Sequence, residues 1–233
     1  MRKALKVYVY VAASITTIVL LSGFQINNTR FGEITVERIN VVDENGQNRL
    51  VISNSSRMPG VIQRGEVLTA NGGRTGMLFF NDEGTEAGGL IFSGKKVDGK
   101  VTAVGSLTFD QYEQDQTIAL QYVDDGGARR AGLNIVDRST TASTKDVIER
   151  SQALNAMPEG PEKTAARQAF RELRSRPRLY VGRSRDDGSS LVSLSDAEGR
   201  ERLRLRVGAA GDTAIEFLDD TGKVLRRVSA NQQ

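Results

Sequence analysis

Five times along this chain, a run of alternating apolar residues stops at Asp or Asn, passes two residues, meets Gly, and resumes as a second alternating run. The copies are INVVDENGQNRLVIS (Asp43, Gly46), MLFFNDEGTEAGGLIFS (Asn81, Gly84), LQYVDDGGARRAGLNIV (Asp124, Gly127), VSLSDAEGRERLRLRV (Asp196, Gly199) and IEFLDDTGKVLRRVS (Asp219, Gly222). Asp or Asn at the first position of a type I turn accepts hydrogen bonds from the turn amides. Gly at the fourth takes the positive φ that sends the chain back as a second strand. Each copy therefore predicts a β-hairpin. VTAVGSLTF and DQTIALQYV supply further strands between copies. Spacing is irregular except for the last two copies, 23 residues apart, so a strict solenoid is disfavoured. The pattern predicts a mainly β fold, an antiparallel hairpin-rich sandwich or a partly closed barrel.

One stretch breaks the alternation. From Ser143 to Arg174 the apolar period turns helical. Ser143 with Asp146 reads as a capping box, after which Val147, Ile148, Ser151 and Leu154 share one face. Pro158-Glu159-Gly160 ends that helix and Pro161 opens another, with a stripe of Ala165, Ala166, Ala169, Phe170 and Leu173. The expected organisation is a β-rich part over 31–142, a helical hairpin inserted at 143–175, and C-terminal hairpins of the same domain over 176–230.

Ahead of this domain lies a segment of another kind. Arg2, Lys3 and Lys6, in a basic flank over 1–6, precede Val7 to Phe24, which carries no charge. As a helix this run spans about 27 Å, near the thickness of a bilayer's hydrocarbon core. The basic flank keeps to the cytoplasm and places the bulk outside it, beyond a linker at 25–30. A transmembrane signal-anchor is the leading reading. A cleaved signal peptide, cut near Ser22-Gly23, is the alternative. A lipoprotein is excluded, because Phe24 stands where the lipidated cysteine would be.

Two absences limit the chemistry. The chain has no cysteine and no histidine, which excludes disulfides, thiol nucleophiles, histidine-based triads and zinc sites of the usual kind. Net charge is +3, too small to imply a nucleic-acid partner, and no phosphate-binding loop or RNA-binding aromatic signature is present. Catalysis would have to use carboxylates, Ser/Thr, Lys or Tyr. Asp82, Glu83 and Glu86 crowd one hairpin, and glycosidases need two carboxylates at short separation; the same residues are also ordinary turn formers. The neighbouring Gly88-Gly89 reads as a bulge or a close backbone approach. Asp110, Tyr112, Glu113 and Asp115, interleaved with Gln111, Gln114 and Gln116, form a second polar cluster. It could hold a sugar or a Ca²⁺ ion, or be a plain surface loop. Arg202, Arg204 and Arg206 alternate with Leu203, Leu205 and Val207, so a strand would turn guanidinium groups to one face and apolar residues to the core. With Arg171, Arg174, Arg176, Arg178, Arg183 and Arg185 nearby, that face could receive an anionic polymer, or pair with acids on adjacent strands.

FGEITVERINVVDENGQNRLVISN, GMLFFNDEGTEAGGLIFSG and SLTFDQYEQDQTIALQY together resemble an uncharacterised family of bacterial membrane-anchored, β-rich proteins. The resemblance is dense from about Phe31 to Arg138 and looser in the C-terminal hairpins. It implies a bacterial origin and draws attention to the two acidic strings, and it carries no activity, cofactor or catalytic residue.

The expectation is a single-pass protein of the bacterial cytoplasmic membrane with its bulk extracytoplasmic, acting as a non-catalytic binding or structural module. Its partners would be an envelope protein or an anionic polymer, with no metal, cofactor or nucleic acid, and exposed edge strands would permit self-association. The alternative is a carboxylate-based hydrolase of envelope glycans using Asp82/Glu86 or Asp110/Glu113.

Overall fold

In the computed structural model, which describes residues 30–70 and 72–230, four of the five Asp/Asn-x-x-Gly turns close in one way. At Asp43, Asn81, Asp196 and Asp219 the side-chain Oδ1 accepts from the amides two and four residues on, at 2.9–3.1 Å. The fourth-position glycine then lies at φ between +72° and +83°. Each turn leaves a register shift in its hairpin, which is the bulge that such a turn introduces. The copy at Asp124 is different. Its strands run on to Asp125 and resume at Ala128, and Gly126-Gly127 form a two-residue turn with both φ positive. Two adjacent glycines favour that tighter turn because its twist matches the strands. Asp98-Gly99 closes another hairpin in the same fashion.

The chain divides into two compact units, Met1–Val36 and Glu37–Gln233. In the first, residues 30–36 are exposed and carry no regular secondary structure. The expected membrane segment at 7–24 lies outside the described residues. Among the described residues, no helix is long and apolar enough to cross a membrane.

The second unit is one antiparallel sheet of twelve strands. Its first half comprises β1 (Arg38–Val42), β2 (Asn48–Ser53), β5 (Thr75–Phe80), β6 (Glu86–Val97), β7 (Lys100–Asp110), β8 (Gln116–Asp125) and β9 (Ala128–Asp137). Then come β10 (Arg176–Arg183), β11 (Ser190–Ser195), β12 (Glu201–Val207), β13 (Thr213–Leu218) and β14 (Val224–Val228). Spatial order follows chain order, so every strand pairs with its neighbour in sequence. A ribbon of β3 (Ile62–Gln63) and β4 (Glu66–Val67) interrupts the path from β2 to β5. Two helices, α1 (Thr144–Ala156) and α2 (Pro161–Arg171), lie between β9 and β10. Ser143 and Asp146 make the reciprocal capping box, and Pro161 starts α2.

The expectation of a sandwich or a partly closed barrel is corrected to a single open sheet. Every connection returns to the adjacent strand, so no crossover carries the chain into a second layer, and β1 and β14 remain edges.

The two faces of the sheet are unlike. Leu78 and Val51, with Phe80, Met58 and Ile62, form the buried cluster on one face, where the ribbon covers β2 and β5. On the other face an apolar row crosses all twelve strands in register. It runs from Ile39, Ile52 and Met77 through Leu90, Leu107, Leu120 and Leu133 to Val181, Val192, Leu205, Ile215 and Val228. A parallel row from Val41 to Arg226 is interrupted only at Gly88 and at Arg226 itself. None of the apolar residues in either row is buried. The alternation at Arg202–Val207 is therefore present, but its apolar side faces no core: Leu205 is 40% and Val207 47% exposed.

Candidate functional site

The turns at Asp43, Asn81, Asp196 and Asp219, the Gln111–Asp115 turn and the two helices all lie at one end of the sheet, because up and down strands alternate. At this end Glu86 opens β6, opposite Phe80, and Asp110 closes β7, opposite Gln116. Gly88 pairs with Phe109, so Glu86 and Asp110 follow as neighbours on adjacent strands. Gly88 sits at φ +134°, and a Cβ there would overlap the Thr108 carbonyl oxygen. That close approach is what the Gly88-Gly89 pair predicts.

The ribbon forms a wall over this end. Its tip, Arg64-Gly65, is a two-residue turn with both φ positive. The Arg64 amide donates to Thr85 Oγ1 at 3.0 Å, and the Gly65 amide to the Gly84 carbonyl at 3.1 Å. The Arg64 guanidinium bridges Glu83 and Glu113, clamping the tip to two turns of the sheet. The start of α1 completes the enclosure. The Lys145 amide donates to Gln63 Oε1 at 3.0 Å, the Lys145 ammonium pairs with Glu66 at 2.7 Å, and the Thr144 amide donates to the Glu113 carbonyl. Gln111 and Gln114 spend their side-chain amides on the carbonyls of Ser139 and Ala142.

Between sheet, ribbon and helices lies a pocket of about 400 Å³. Glu86, Asp110, Asp115, Arg74 and Arg138 supply its polar wall, and Val61, Ile62, Val147, Ile148 and Leu173 its apolar one. Burial pushes the Glu86 carboxyl up to about 7, against the pull of Arg74. Burial, then the neighbouring charges of Glu86 and Asp115, pushes Asp110 up to about 7 as well. Two carboxyls desolvated side by side resist ionising together. Asp110 Oδ1 is buried and lacks a hydrogen-bond partner, the one such side-chain atom among the described residues. Arg138 reaches Asp115 at 3.4 Å and donates to the Gln116 carbonyl at 2.7 Å, holding the polar wall in place.

The residues singled out from the sequence thus part company. Glu86 and Asp110, taken from two different sequence pairs, meet, while their assumed partners do not join them. Asp82 is exposed and pairs with Arg49. Glu113 pairs with Arg64. Tyr112 is exposed and donates to Glu83. Asp115 lines the pocket. Arg204 pairs with Glu201 and Glu216, and Arg206 with Asp187 and Asp212, on strands far along the sheet. Arg202 lies close enough to Asp219 to help lower its pKa. Sequence reading missed Arg64, Arg74 and Arg138. Only Arg64 had a local signal, since Arg-Gly between Gln63 and Glu66 fits a two-residue turn. No group of three or more acidic residues among the described residues is arranged to hold a metal ion. No protein-family model, curated protein or solved structure matches the chain.

Proposed function

We propose that this chain is a membrane-anchored β domain of the bacterial cell envelope, acting as a non-catalytic binding module. The uncharged run Val7 to Phe24 behind Arg2, Lys3 and Lys6 supports the anchor and the extracytoplasmic placement. The binding site is the pocket that joins Glu86 and Asp110, and the observation that carries it is the unpartnered, buried Asp110 Oδ1. A buried acceptor without a donor is costly, and a ligand ammonium group would satisfy it while relieving the repulsion between the carboxyls. The aliphatic wall from Val147, Ile148 and Leu173 suits the carbon chain of such an amine. Engagement of Arg204 and Arg206 by carboxylates takes away the motive for an anionic polymer as partner.

The test is titration of full-length protein in non-ionic detergent with spermidine, against uncharged hexanediol. Spermidine binds at pH 8, weakens roughly tenfold per pH unit below 7 as the carboxyls protonate, and is lost in Asp110→Asn. Hexanediol does not bind. Equal binding of the two, or of neither, sinks the proposal.

A second reading, hydrolysis of envelope glycans, is favoured by the same two carboxyls, since a glycosidase pairs a protonated acid with an ionised one. Its signature is release of reducing ends from cell-wall glycan that disappears in both Glu86→Gln and Asp110→Asn.

A further inference from the structure

We infer that the apolar face of the sheet is covered by the same face of a second copy, so that two chains complete the sandwich that one chain leaves open. Among the described residues nothing covers this face: Leu120 is 55%, Phe109 50% and Leu205 40% exposed. The opposite face is already in use. The ribbon packs on it near β2 and β5, and across β12, β13 and β14 it carries the Arg204–Glu216–Arg227 ion-pair ladder, in which the two half-exposed guanidinium groups flank the buried Glu216. A sheet whose second face is also apolar and is left bare needs a partner on that side.

Size decides which partner. Twelve strands extend about 53 Å, and the two rows occupy about 700 Å² of sheet plane. A monomer's largest apolar patch is usually about 300–600 Å², whereas one side of a standard interface buries about 800 Å². A trough of about 820 Å³ over β10 to β14, lined by Val181, Val192, Leu205, Ile215 and Val228, could seat a hydrocarbon chain. Such a ligand would leave the rows bare over the remaining seven strands. A second copy brings rows of equal length, and a two-fold axis sets the same patch against itself. The only charge in the two rows, Arg226, falls on the edge strand, where an interface has its polar rim. The twisted sheets then stack about 10 Å apart with strands about 30° from aligned. The pocket at Glu86 and Asp110 opens on the other face and stays clear.

Because the chain has no cysteine, single cysteines report contacts without background. Leu120→Cys, Val181→Cys, Leu205→Cys and Ile215→Cys are made in the full chain, with Gln121→Cys and Ser193→Cys on the opposite face, and treated in intact membranes with a bis-maleimide. Covalent dimer forms at one or more row positions at least fivefold above the opposite-face controls, and adding Leu205→Glu lowers that yield at least tenfold. Leu205 is already part-exposed within one chain, so the charge acts on the contact between copies. A circular dichroism spectrum matching the parent's checks that the variant is folded. If Leu205→Glu misfolds, the cysteine series alone decides. Dimer yields equal on both faces, no dimer at any row position, or row positions labelled by a photoactivatable phospholipid in place of dimer would each overturn the inference.

Discussion

Glu86 and Asp110 make the stability of this domain depend on pH in a direction that can be worked out. Their folded values, about 7, lie above the ordinary 4.5 and 3.8. Between about pH 4 and pH 7 the unfolded chain has therefore released protons that the folded one still holds. Stability falls as pH rises through that window and levels off above it. Asp110→Asn removes one ionising group, so at pH 8 the variant is more stable than the parent by on the order of 2 kcal/mol, a gap that closes below about pH 4. Denaturant titrations at the two pH values measure this, and a variant less stable at pH 8 would show that the carboxyl is satisfied in the folded state. At this scale the sequence was half legible. It marked all four carboxylates as candidates, but Asp82 and Asp110 look alike in a string of letters. Pairing with Arg49 rather than enclosure in the pocket beneath the ribbon is a matter of which strands lie side by side.

Turns and helix caps are local, and they were legible. Asp43, Asn81, Asp196 and Asp219 each close their turn with hydrogen bonds inside five residues, and Ser143 caps α1 within four. The Asp124 copy failed because Gly126-Gly127 offers a shorter local solution that competes with the longer turn. The helical insertion is an element with a separable role. Asp137 pairs directly with Arg176, so β9 and β10 need only a tight turn between them. Replacing residues 138–175 with Asn-Gly leaves the strand signal in circular dichroism and removes the helical one. The same change opens the pocket to water and brings the carboxyls of Glu86 and Asp110 back towards the ordinary range, readable by NMR titration. Loss of the strand signal would mean that the helices hold the sheet together.

For the whole molecule, the mass of the mature protein tests the anchor. An intact N-terminus matches Val7–Phe24 as an uncleaved span, whereas a start at Gly23 or Phe24 marks it as a cleaved signal. Of the sheet, the sequence by itself determined that strands come as hairpins, where four of the turns fall, and that a helical pair interrupts them. These features rest on contacts between residues close in the chain and on alternation along single strands. Only the tertiary structure decided that twelve strands form one open layer rather than two packed ones. Alternation says that one side of each strand is apolar, and a neighbouring layer of the same chain would satisfy that as well as a second molecule. Tertiary structure also decided that Glu86 meets Asp110. Each carboxyl owes its environment to Ile62 and Gln63 of the ribbon and to Val147, Ile148 and Leu173 of the helical insertion, which line the pocket around it, and no spacing in the Asp/Asn-x-x-Gly pattern records that approach.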